Sequence, residues 1–324
     1  MTLKKKNVFV AAITSLLLLA ACDDDSSTSP ITPSNNEQSS SSIDLANSSS
    51  SSRHCEDCKD EANSSSSINK TNSSIPVSLS SSSLSVEQSS SAALVENGWS
   101  WDVPKEAYLN SAITYGSMTD SRDGQTYKTV KIGDQIWMAE NLNYADSINT
   151  PSLLKRSWCY NNVAANCAVG GRFYTWTAAI DSVKLATDAD NPQDCGFGRT
   201  CTLPAKVQGI CPDGWHLPTY TEWIALLTEV GGSATATIAC KILKSQTGWC
   251  DYTNGTDGVG FSALPAGSRN YYGDFSGGGC CAYFWSATGY GNYSAYNVDM
   301  GVNTYLSGSG VDNGFSVRCL KDEP

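Results

Sequence analysis

The sequence predicts an α+β fold with short antiparallel strands, two helices, long glycine-rich loops and several disulfides. Three observations lead to this class. Residues 97–324 contain stretches of alternating side-chain character, two stretches with helical spacing, and ten of the chain's thirteen cysteines. About 225 residues is the length of one ordinary domain, so we expect a single folded unit there.

The N-terminus is typical of an export signal. Three lysines at 4–6 precede an apolar run from Val8 to Ala21, which is too short to span a membrane. The run ends in Leu-Ala-Ala before Cys22, an arrangement that resembles a bacterial lipoprotein signal. We therefore expect a signal peptide at residues 1–21, acylation of the Cys22 thiol and attachment to a membrane through the lipid.

The residues Asp23–Asp25 leave the side of the envelope open. Acidic residues at this place resemble a surface-export signal in some bacterial groups and an inner-membrane retention signal in others. The expectation is an exported lipoprotein of the outer membrane or cell surface, with the periplasmic face as the alternative.

Residues 22–96 are predicted to form a disordered tether. Serine fills 28 of the 66 positions from 26 to 91, and no aromatic residue occurs among them. Such a segment cannot bury enough apolar surface to offset the entropy lost on ordering. The folded domain is therefore expected at residues 97–324.

The first strands of the domain form a predicted hairpin. Residues 125–132 alternate in side-chain character, residues 135–139 return, and Gly133-Asp134 suits a two-residue turn that begins with glycine. Further on, the stretch after Gly258 predicts short antiparallel strands at 260–270, 282–290, 294–300 and 314–322, joined by glycine-rich loops.

Two helices are predicted from apolar spacing. In residues 170–183 the apolar side chains recur at helical intervals, at Phe173, Trp176, Ile180 and Val183. The second helix follows Thr219, which forms a capping box with Glu222, and Gly231 ends it.

His216 is the only histidine of residues 97–324, and it lies six residues before Glu222. This spacing matches no zinc motif, and the chain has no Gly-x-Ser-x-Gly elbow for a catalytic serine. Because Glu222 already has a capping role, we predict that His216 is a packed, hydrogen-bonded scaffold residue. No catalytic residue is assigned.

The ten domain cysteines predict a disulfide framework, because exported proteins fold in an oxidising compartment. The other three are Cys22 and a tether pair at 55 and 58. Short spacings favour local bridges at Cys159 with Cys167 and at Cys195 with Cys201. Cys211 and Cys319 lie near the two ends of the C-terminal half, where a bridge would close a loop of about 108 residues.

Four cysteines remain: Cys240, Cys250, Cys280 and Cys281. Adjacent residues have Cα atoms about 3.8 Å apart, below the usual disulfide range of roughly 4.4–6.8 Å. We therefore predict that Cys280 and Cys281 both pair outward, with Cys240 and Cys250. The alternative is a Cys240–Cys250 bridge with the other two cysteines vicinal or free.

Several motifs together resemble the Fibrobacter succinogenes major paralogous domain family. They run in order from about residue 118 to 322 and include "DSRDGQTYKTVKIGDQIWMAENLNY", "GRFYTW", "GICPDGWHLPTYTEW", "GTDGVGFSALPAGSRN", "FWSAT" and "GFSVRCLKD". Members of this family are largely exported lipoproteins, often on serine-rich linkers.

The family is distantly similar to the C-type lectin-like fold and to formylglycine-generating enzymes. The residues that carry this likeness are "HLPTYTEW" at 216–223 and "GFSVRC" at 314–319. The lectin-like resemblance implies a bridge between Cys211 and Cys319. The lectins' Glu-Pro-Asn and Trp-Asn-Asp calcium motifs are absent, and the enzymes' spaced cysteine pair is replaced by adjacent Cys280-Cys281.

Two loops carry the candidate ligand-binding residues. Aromatic rings stack on the C–H faces of sugars, while Asn and Asp bond to hydroxyl groups. The candidates are Tyr271, Tyr272, Asp274, Tyr290, Asn292 and Tyr293. The alternative is that these tyrosines pack a twisted sheet and cover its loops.

One further loop, "DYTNGTDG", supplies oxygen ligands for Ca²⁺. The candidate ligands are Asp251, Asn254 and Asp257, although their spacing of three differs from that of an EF-hand loop.

These observations favour a lipid-anchored binding or adhesion module of the envelope or surface, with polysaccharide or an envelope protein as partner. The net charge of −11 argues against nucleic acid. The first alternative is a structural coat protein of the cell surface. An enzyme related to formylglycine-generating enzymes is the second, and it would require reactive thiols.

Overall fold

The computed structural model describes residues 98–231 and 237–323. The predicted signal peptide, Cys22 and the tether with its Cys55–Cys58 pair lie outside these residues. Among the helices of the described segments, none has the length and apolar character needed to cross a bilayer.

The domain is a mixed α/β structure in which the paired strands are antiparallel. The strands are β1 (Gly116–Thr119), β2 (Thr126–Ile132), β3 (Gln135–Met138), β4 (Ser157–Trp158), β5 (Phe173–Tyr174), β6 (Trp215–His216), β7 (Ser268–Arg269), β8 (Phe275–Ser276), β9 (Ala282–Tyr290), β10 (Ser294–Met300), β11 (Thr304–Gly310) and β12 (Leu320–Lys321). The α-helices are α1 (Ala164–Gly170), α2 (Trp176–Ala179), α3 (Ser182–Ala186), α4 (Tyr220–Glu229) and α5 (Thr237–Leu243). Short 3₁₀ turns span Lys105–Tyr108, Pro151–Leu153 and Tyr160–Asn162.

A five-stranded sheet has the order β1-β2-β3-β12-β6. Its centre contains the predicted hairpin, in which Ile132 pairs with Gln135 across a turn where Gly133 has a φ of 58°. The last strand, β12, then pairs Leu320 with Trp137 on one side and with His216 on the other. The C-terminus therefore joins the hairpin to the segment that precedes α4.

A three-stranded sheet has the order β11-β10-β9. The sequence predicted β9 and β10 with the bounds that the structure has, but it missed β11, whose sequence TYLSGSG contains two glycines. The predicted strands at 260–270 and 314–322 are much shorter, reduced to β7 and β12 with isolated bridges beside them.

The predicted helix at 170–183 is wrong in its first half. Phe173 and Tyr174 form β5, which pairs with β4, and Tyr174 also bridges to Phe315. The helix α2 begins only at Trp176, where the Thr175 side chain accepts a hydrogen bond from the Ala178 N–H. Asp181 then adopts a φ of 53°, which separates α2 from α3. Strand pairing to distant residues thus overrides the local helical spacing.

The second predicted helix is confirmed as α4. Its capping box is complete, because the Thr219 hydroxyl accepts from the Glu222 N–H and the Glu222 carboxylate accepts from the Thr219 N–H. Two further helices, α1 and α5, were not predicted, since each has only seven residues.

Helix α4 packs on the hairpin through aromatic rings. The ring centres of Trp223 and Trp137 lie 4.7 Å apart, and both side chains are fully buried together with Phe261 and Phe284. A second buried cluster contains Trp176, Trp215 and Trp285. The two clusters place α4, β9 and the Trp176 segment in fixed positions around the candidate site described below.

Arg318 is a fully buried cation within this packing. Its guanidinium donates to the carbonyls of Phe261 and Ser262 and, through Nε, to Asn141. Burial lowers the pKa of Arg318 to about 9, against the opposing attraction of Asp257 and Glu140. The last motif of the family resemblance, at 314–319, therefore has a structural function.

The structure contains four disulfides within the described residues. Two close the short loops predicted for Cys159–Cys167 and Cys195–Cys201, and a third joins Cys211 to Cys319 with Cα atoms 5.9 Å apart. The fourth joins Cys250 to Cys280.

The prediction that Cys280 and Cys281 both form disulfides with Cys240 and Cys250 is confirmed for Cys280 with Cys250 and is wrong for the other pair. Cys280 lies in a turn and reaches Cys250, whereas Cys281 leads into β9 and is buried against Gly277. Cys240 lies on α5, where its thiol donates a hydrogen bond to the Gly301 carbonyl. Both Cys240 and Cys281 are therefore buried thiols and not disulfide partners, and the alternative Cys240–Cys250 bridge is wrong as well.

Candidate functional site

An open groove of about 520 Å³ lies between the loop at 194–205 and the β9–β10 hairpin, and we call it the hairpin groove. Its floor includes Trp176, which is buried and donates its indole N–H to the Ser286 carbonyl. The polar side chains that line it are Arg199, Thr200, Thr202, Thr219, Thr221, Thr288 and Asn292. The groove therefore offers hydroxyl, amide and guanidinium groups above an aromatic floor.

Two exposed aromatic rings belong to residues that directly follow Gly196 and Asn292, which line the hairpin groove. Phe197 comes from the loop and Tyr293 from the hairpin, and their ring centres lie 4.9 Å apart in an edge-to-face arrangement. Phe197 is 64% exposed and Tyr293 57% exposed. Large exposed aromatic rings beside a polar groove are a typical composition of a carbohydrate site.

The loop that carries Phe197 is held in place from several directions. The Cys195–Cys201 disulfide closes it, the Gly198 N–H donates to the Asn292 carbonyl at 2.8 Å, and the Thr200 hydroxyl donates to Asn292 Oδ1 at 2.8 Å. Gly198 has a φ of 71° and approaches the ring of Tyr293, so a glycine suits this position. The groove is preorganised by these contacts.

The other wall of the hairpin groove rests on the capping box of α4. Thr219 lines the groove and bonds to Glu222, while the Tyr220 N–H donates to the Thr288 hydroxyl on β9. Behind this wall, His216 Nδ1 lies 2.7 Å from Asp322 Oδ1 and Nε2 lies 2.9 Å from Glu222 Oε1. When His216 is protonated, each ring nitrogen can donate to one of the two carboxylates.

The electrostatics of this cluster favour the charged forms. Burial by itself would lower the pKa of His216, but the hydrogen bonds and charges of Glu222 and Asp322 outweigh it and raise the pKa. Burial likewise opposes ionisation of Glu222, yet its bonds with His216 and Thr219 lower the pKa of this carboxyl. His216 is only 3% exposed, whereas its two carboxylate partners are about a third exposed. His216 and Glu222 line a separate, smaller pocket of about 190 Å³, on the side of the cluster away from Thr219.

The structure divides the six predicted ligand-binding residues into separate places. Asn292 lines the hairpin groove, and Tyr293 follows it in the chain and packs on Phe197. Tyr290 does not line it, since its ring packs on Tyr296 at 4.9 Å and over Gly308. The remaining three, Tyr271, Tyr272 and Asp274, lie in the β7–β8 loop.

The β7–β8 loop carries a second aromatic surface, which we call the Arg269 surface and which comprises Trp158, Arg269, Tyr271, Tyr272 and Phe275. Tyr271 and Tyr272 are 61% and 76% exposed, with ring centres 3.9 Å apart. The guanidinium carbon of Arg269 lies 4.0 Å from the ring centre of Trp158.

The candidate Ca²⁺ ligands have structural partners. Asp257 is buried, and its carboxylate accepts from the N–H and the hydroxyl of Ser262. Asn254 Oδ1 accepts from the Trp249 N–H, whereas Asp251 is exposed. In the segments that the structure describes, His, Cys, Asp and Glu do not gather in threes around a place for a metal ion. The calcium site stays a sequence prediction.

Sequence reasoning missed Phe197, Thr200, Trp158 and Arg269. The segment "CGFGRTC" was interpreted only as a disulfide-closed loop, although an exposed phenylalanine between two glycines is a usable signal. Arg269 and Trp158 carry no local signal, because they are distant in sequence and meet only when β4 and β7 come together.

One protein family matches the chain. The Fibrobacter succinogenes major domain matches the chain over residues 130–321, which include the hairpin groove and most of both buried clusters. No curated protein and no solved structure matches the chain. The match covers more than half of the chain, so this protein belongs to the Fibrobacter succinogenes major domain family.

Proposed function

We propose that this protein is a polysaccharide-binding module of the bacterial envelope or surface, and that the hairpin groove is its binding site. The observation that carries the proposal is the pair of exposed rings, Phe197 and Tyr293, beside a groove lined by hydroxyl and amide groups. The volume of about 520 Å³ falls within the usual size of a small-molecule site.

The chemistry of the groove suits a sugar chain. A sugar ring presents an apolar C–H face and a rim of hydroxyl groups. The rings of Phe197 and Tyr293 would stack on the C–H face of the sugar. Thr202, Thr221 and Arg199 would form hydrogen bonds with its hydroxyl groups. Since the disulfide and the Asn292 bonds already order the loop, little conformational entropy is lost on binding.

Display outside the cytoplasm is part of the proposal. Four disulfides are typical of an oxidising compartment. The character of residues 1–25 supports acylation at Cys22 and a tethered position at the outer membrane or cell surface, with the periplasmic face as the alternative.

We also propose that the fold is a distant C-type lectin-like fold. The support is the Cys211–Cys319 bridge, which connects the segment before α4 to the segment that enters the last strand, as the lectin-like resemblance implies.

Binding to a polysaccharide panel tests the proposed function. We expect the purified, oxidised full-length chain to bind at least one neutral or acidic polysaccharide saturably in a pull-down followed by tryptophan fluorescence. Phe197→Ala and Tyr293→Ala should each weaken binding about tenfold or more, because each removes a ring of the rim. Tyr252→Ala is the matched control, since Tyr252 is 94% exposed and does not line the groove.

Two results would contradict the proposal. If the panel contains no polysaccharide that binds, the protein recognises another class of partner or forms a coat. If a polysaccharide binds but Phe197→Ala and Tyr293→Ala bind it like the wild type, the hairpin groove is the wrong site.

A further inference from the structure

Arg269 carries a positive charge that lacks a neutralising partner within the described residues. The ion pairs found there involve other cations, and none includes Arg269. The Nε atom of Arg269 is buried without a hydrogen-bond partner. Its guanidinium makes one long contact, from Nη1 to the Asn270 carbonyl at 3.5 Å.

Two other arginines of the domain show what a structural guanidinium looks like here. Arg122 makes a two-pronged contact with Asp120, at 2.9 and 2.7 Å. Arg318 donates to three protein oxygens and has no exposed surface. Arg269, by contrast, is partly exposed and its donors are largely unused.

Contacts with two aromatic rings hold the side chain of Arg269 in place. The guanidinium carbon stacks on Trp158 at 4.0 Å and lies 5.8 Å from the ring centre of Phe275. This stacking requires glycine at 314, where a Cβ atom would lie 3.1 Å from Arg269 Cβ and 3.5 Å from the Trp158 ring. The two aromatic rings thus fix the plane of the guanidinium, in which Nε is buried and Nη1 and Nη2 are the donors left for a ligand.

The charged groups near Arg269 compensate its positive charge only in part, which favours binding of an anion there. Burial of the guanidinium lowers the pKa of Arg269, and the attraction of Asp274 offsets this only in part. Asp274 itself bonds to Asn270, through Oδ2 at 3.2 Å. A bound carboxylate would neutralise the positive charge of Arg269 and would accept two parallel hydrogen bonds from its guanidinium.

The neighbouring rings suggest what carries the carboxylate. Tyr271 and Tyr272 are exposed next to Arg269, and the Tyr271 N–H is held by Asn313 Oδ1 at 3.1 Å. An exposed aromatic pair beside a free guanidinium suits a sugar ring whose substituent is a carboxylate, which is the chemistry of a uronic acid.

The Arg269 surface lies close to the hairpin groove along the chain. Asn313 holds Tyr271, and two residues earlier Val311 lines the groove and bonds to the Tyr293 carbonyl. Two residues of extended chain span at most about 7 Å. The segment from Val311 to Asn313 therefore connects the groove to the loop that follows Arg269.

We propose that Arg269 is the carboxylate-binding residue of an extended site for acidic, uronate-containing polysaccharide, with Tyr271 and Tyr272 stacking on the uronate ring. This rests on the proposed function, because it assigns the chemical class of the polysaccharide that occupies the hairpin groove.

The test compares three polymers at one ionic strength: polygalacturonate, the same polymer with its carboxyl groups methyl-esterified, and polyglutamate. The wild-type full-length chain should bind polygalacturonate about ten- to a hundredfold more tightly than the ester, as expected for a charge-assisted hydrogen bond. Arg269→Gln should remove this preference and leave binding of the ester unchanged. Arg269→Lys should keep part of the preference for polygalacturonate, because lysine retains the positive charge but lacks the planar pair of donors that binds both carboxylate oxygens.

Further variants separate the stacking from the charge. Tyr271→Ala and Tyr272→Ala should weaken binding of both polygalacturonate and the ester. Lys131→Gln, which removes an exposed positive charge on β2, should change neither. An unchanged melting temperature of Arg269→Gln shows that the variant is folded.

Three outcomes would overturn the inference, and they are distinguishable. If Phe197→Ala abolishes polysaccharide binding while Arg269→Gln binds all polymers like the wild type, the proposed function stands and the acidic specificity is wrong. If polyglutamate binds as tightly as polygalacturonate, the site recognises carboxylates without the sugar. If neither these polymers nor neutral polysaccharides bind, the proposed function fails as well.

Discussion

At the scale of single residues, His216 shows how a local motif acquires a distant partner. The sequence assigned it a scaffold role, because Glu222 was already committed to the capping box. The structure adds Asp322, which is 106 residues away and brings a second carboxylate to the ring. The result is an imidazole ring between two carboxylates, an arrangement that raises the pKa of the ring.

This cluster predicts how stability depends on pH. The pKa of His216 is raised on folding, so its stabilisation is fully present below about pH 6.5, the unfolded value, and is lost as the pH rises through the folded pKa. The pKa of Glu222 is lowered, so its stabilisation is present above about pH 4.5 and is lost as the pH falls through the folded pKa. Stability should therefore be greatest between these two limits.

We expect His216→Gln to lower the free energy of unfolding by about 1–2 kcal/mol near pH 6, since it leaves two partly exposed carboxylates with weaker partners. The difference from the wild type should shrink as the pH rises through the folded pKa of His216. Chemical denaturation at several pH values measures it. His54→Gln, which removes the only other histidine, is the control. A difference that grows with pH would contradict the assigned charge.

At the scale of elements, the loop at 195–201 has more than a structural task. The sequence predicted its disulfide but no function. The structure places Phe197 at its tip against Tyr293 and ties Thr200 to Asn292. A small disulfide-closed loop is therefore the element that forms one side of the groove.

Removing this disulfide should weaken binding as well as lower stability. Cys195→Ser with Cys201→Ser opens a loop of six-residue separation, for which the chain-entropy model gives a cost of about 2 kcal/mol. We expect polysaccharide binding to fall about tenfold or more, because the ring of Phe197 loses its fixed position.

The matched control is Cys159→Ser with Cys167→Ser, whose separation of eight is similar but which does not line the groove. This pair should lose about as much stability and keep the binding of neutral polysaccharide. Equal binding losses in both variants would show that the effect is a general loosening of the domain.

Element boundaries show where local reasoning stops. The hairpin β2–β3 and the helix α4 were predicted within a residue or two, since their turn, cap and apolar spacing lie within a few positions of one another. The helix predicted from Phe173 failed, because that residue and Tyr174 pair with β4 and with Phe315. Such pairing is not visible in a window of ten residues.

At the scale of the whole molecule, the Cys211–Cys319 bridge connects the segment before α4 to the residues that enter β12. It closes a loop of 108 residues that contains α4, α5 and strands β6 to β11. Both sulfurs lie in the buried cluster with Trp176 and Trp215. The bridge therefore holds together the part of the domain that carries the hairpin groove.

We expect Cys211→Ala with Cys319→Ala to be the most destabilising disulfide removal. In the chain-entropy model a loop of this length accounts for about 4.7 kcal/mol, roughly twice the value for the local loops. Unfolding free energies of this variant and of the Cys159/Cys167 variant, measured side by side, provide the comparison. Equal losses in the two variants would show that loop length does not govern the stabilisation.

The sequence by itself determined the features that depend on neighbouring residues or on a family pattern. These are the α+β class, the hairpin, the capping box of α4, the short disulfide loops and the family itself, which was recognised from ordered motifs. Their physical basis is short-range: a turn, a cap or a loop closure involves groups a few bonds apart.

Only the tertiary structure decided which distant residues meet. It brought Phe197 to Tyr293, Arg269 to Trp158 and His216 to Asp322, and it left Cys240 and Cys281 as buried thiols instead of a bridge. Each of these outcomes depends on how sheets and loops pack around two buried clusters. The free energy of such packing is shared among many residues, so no single stretch of sequence encodes it.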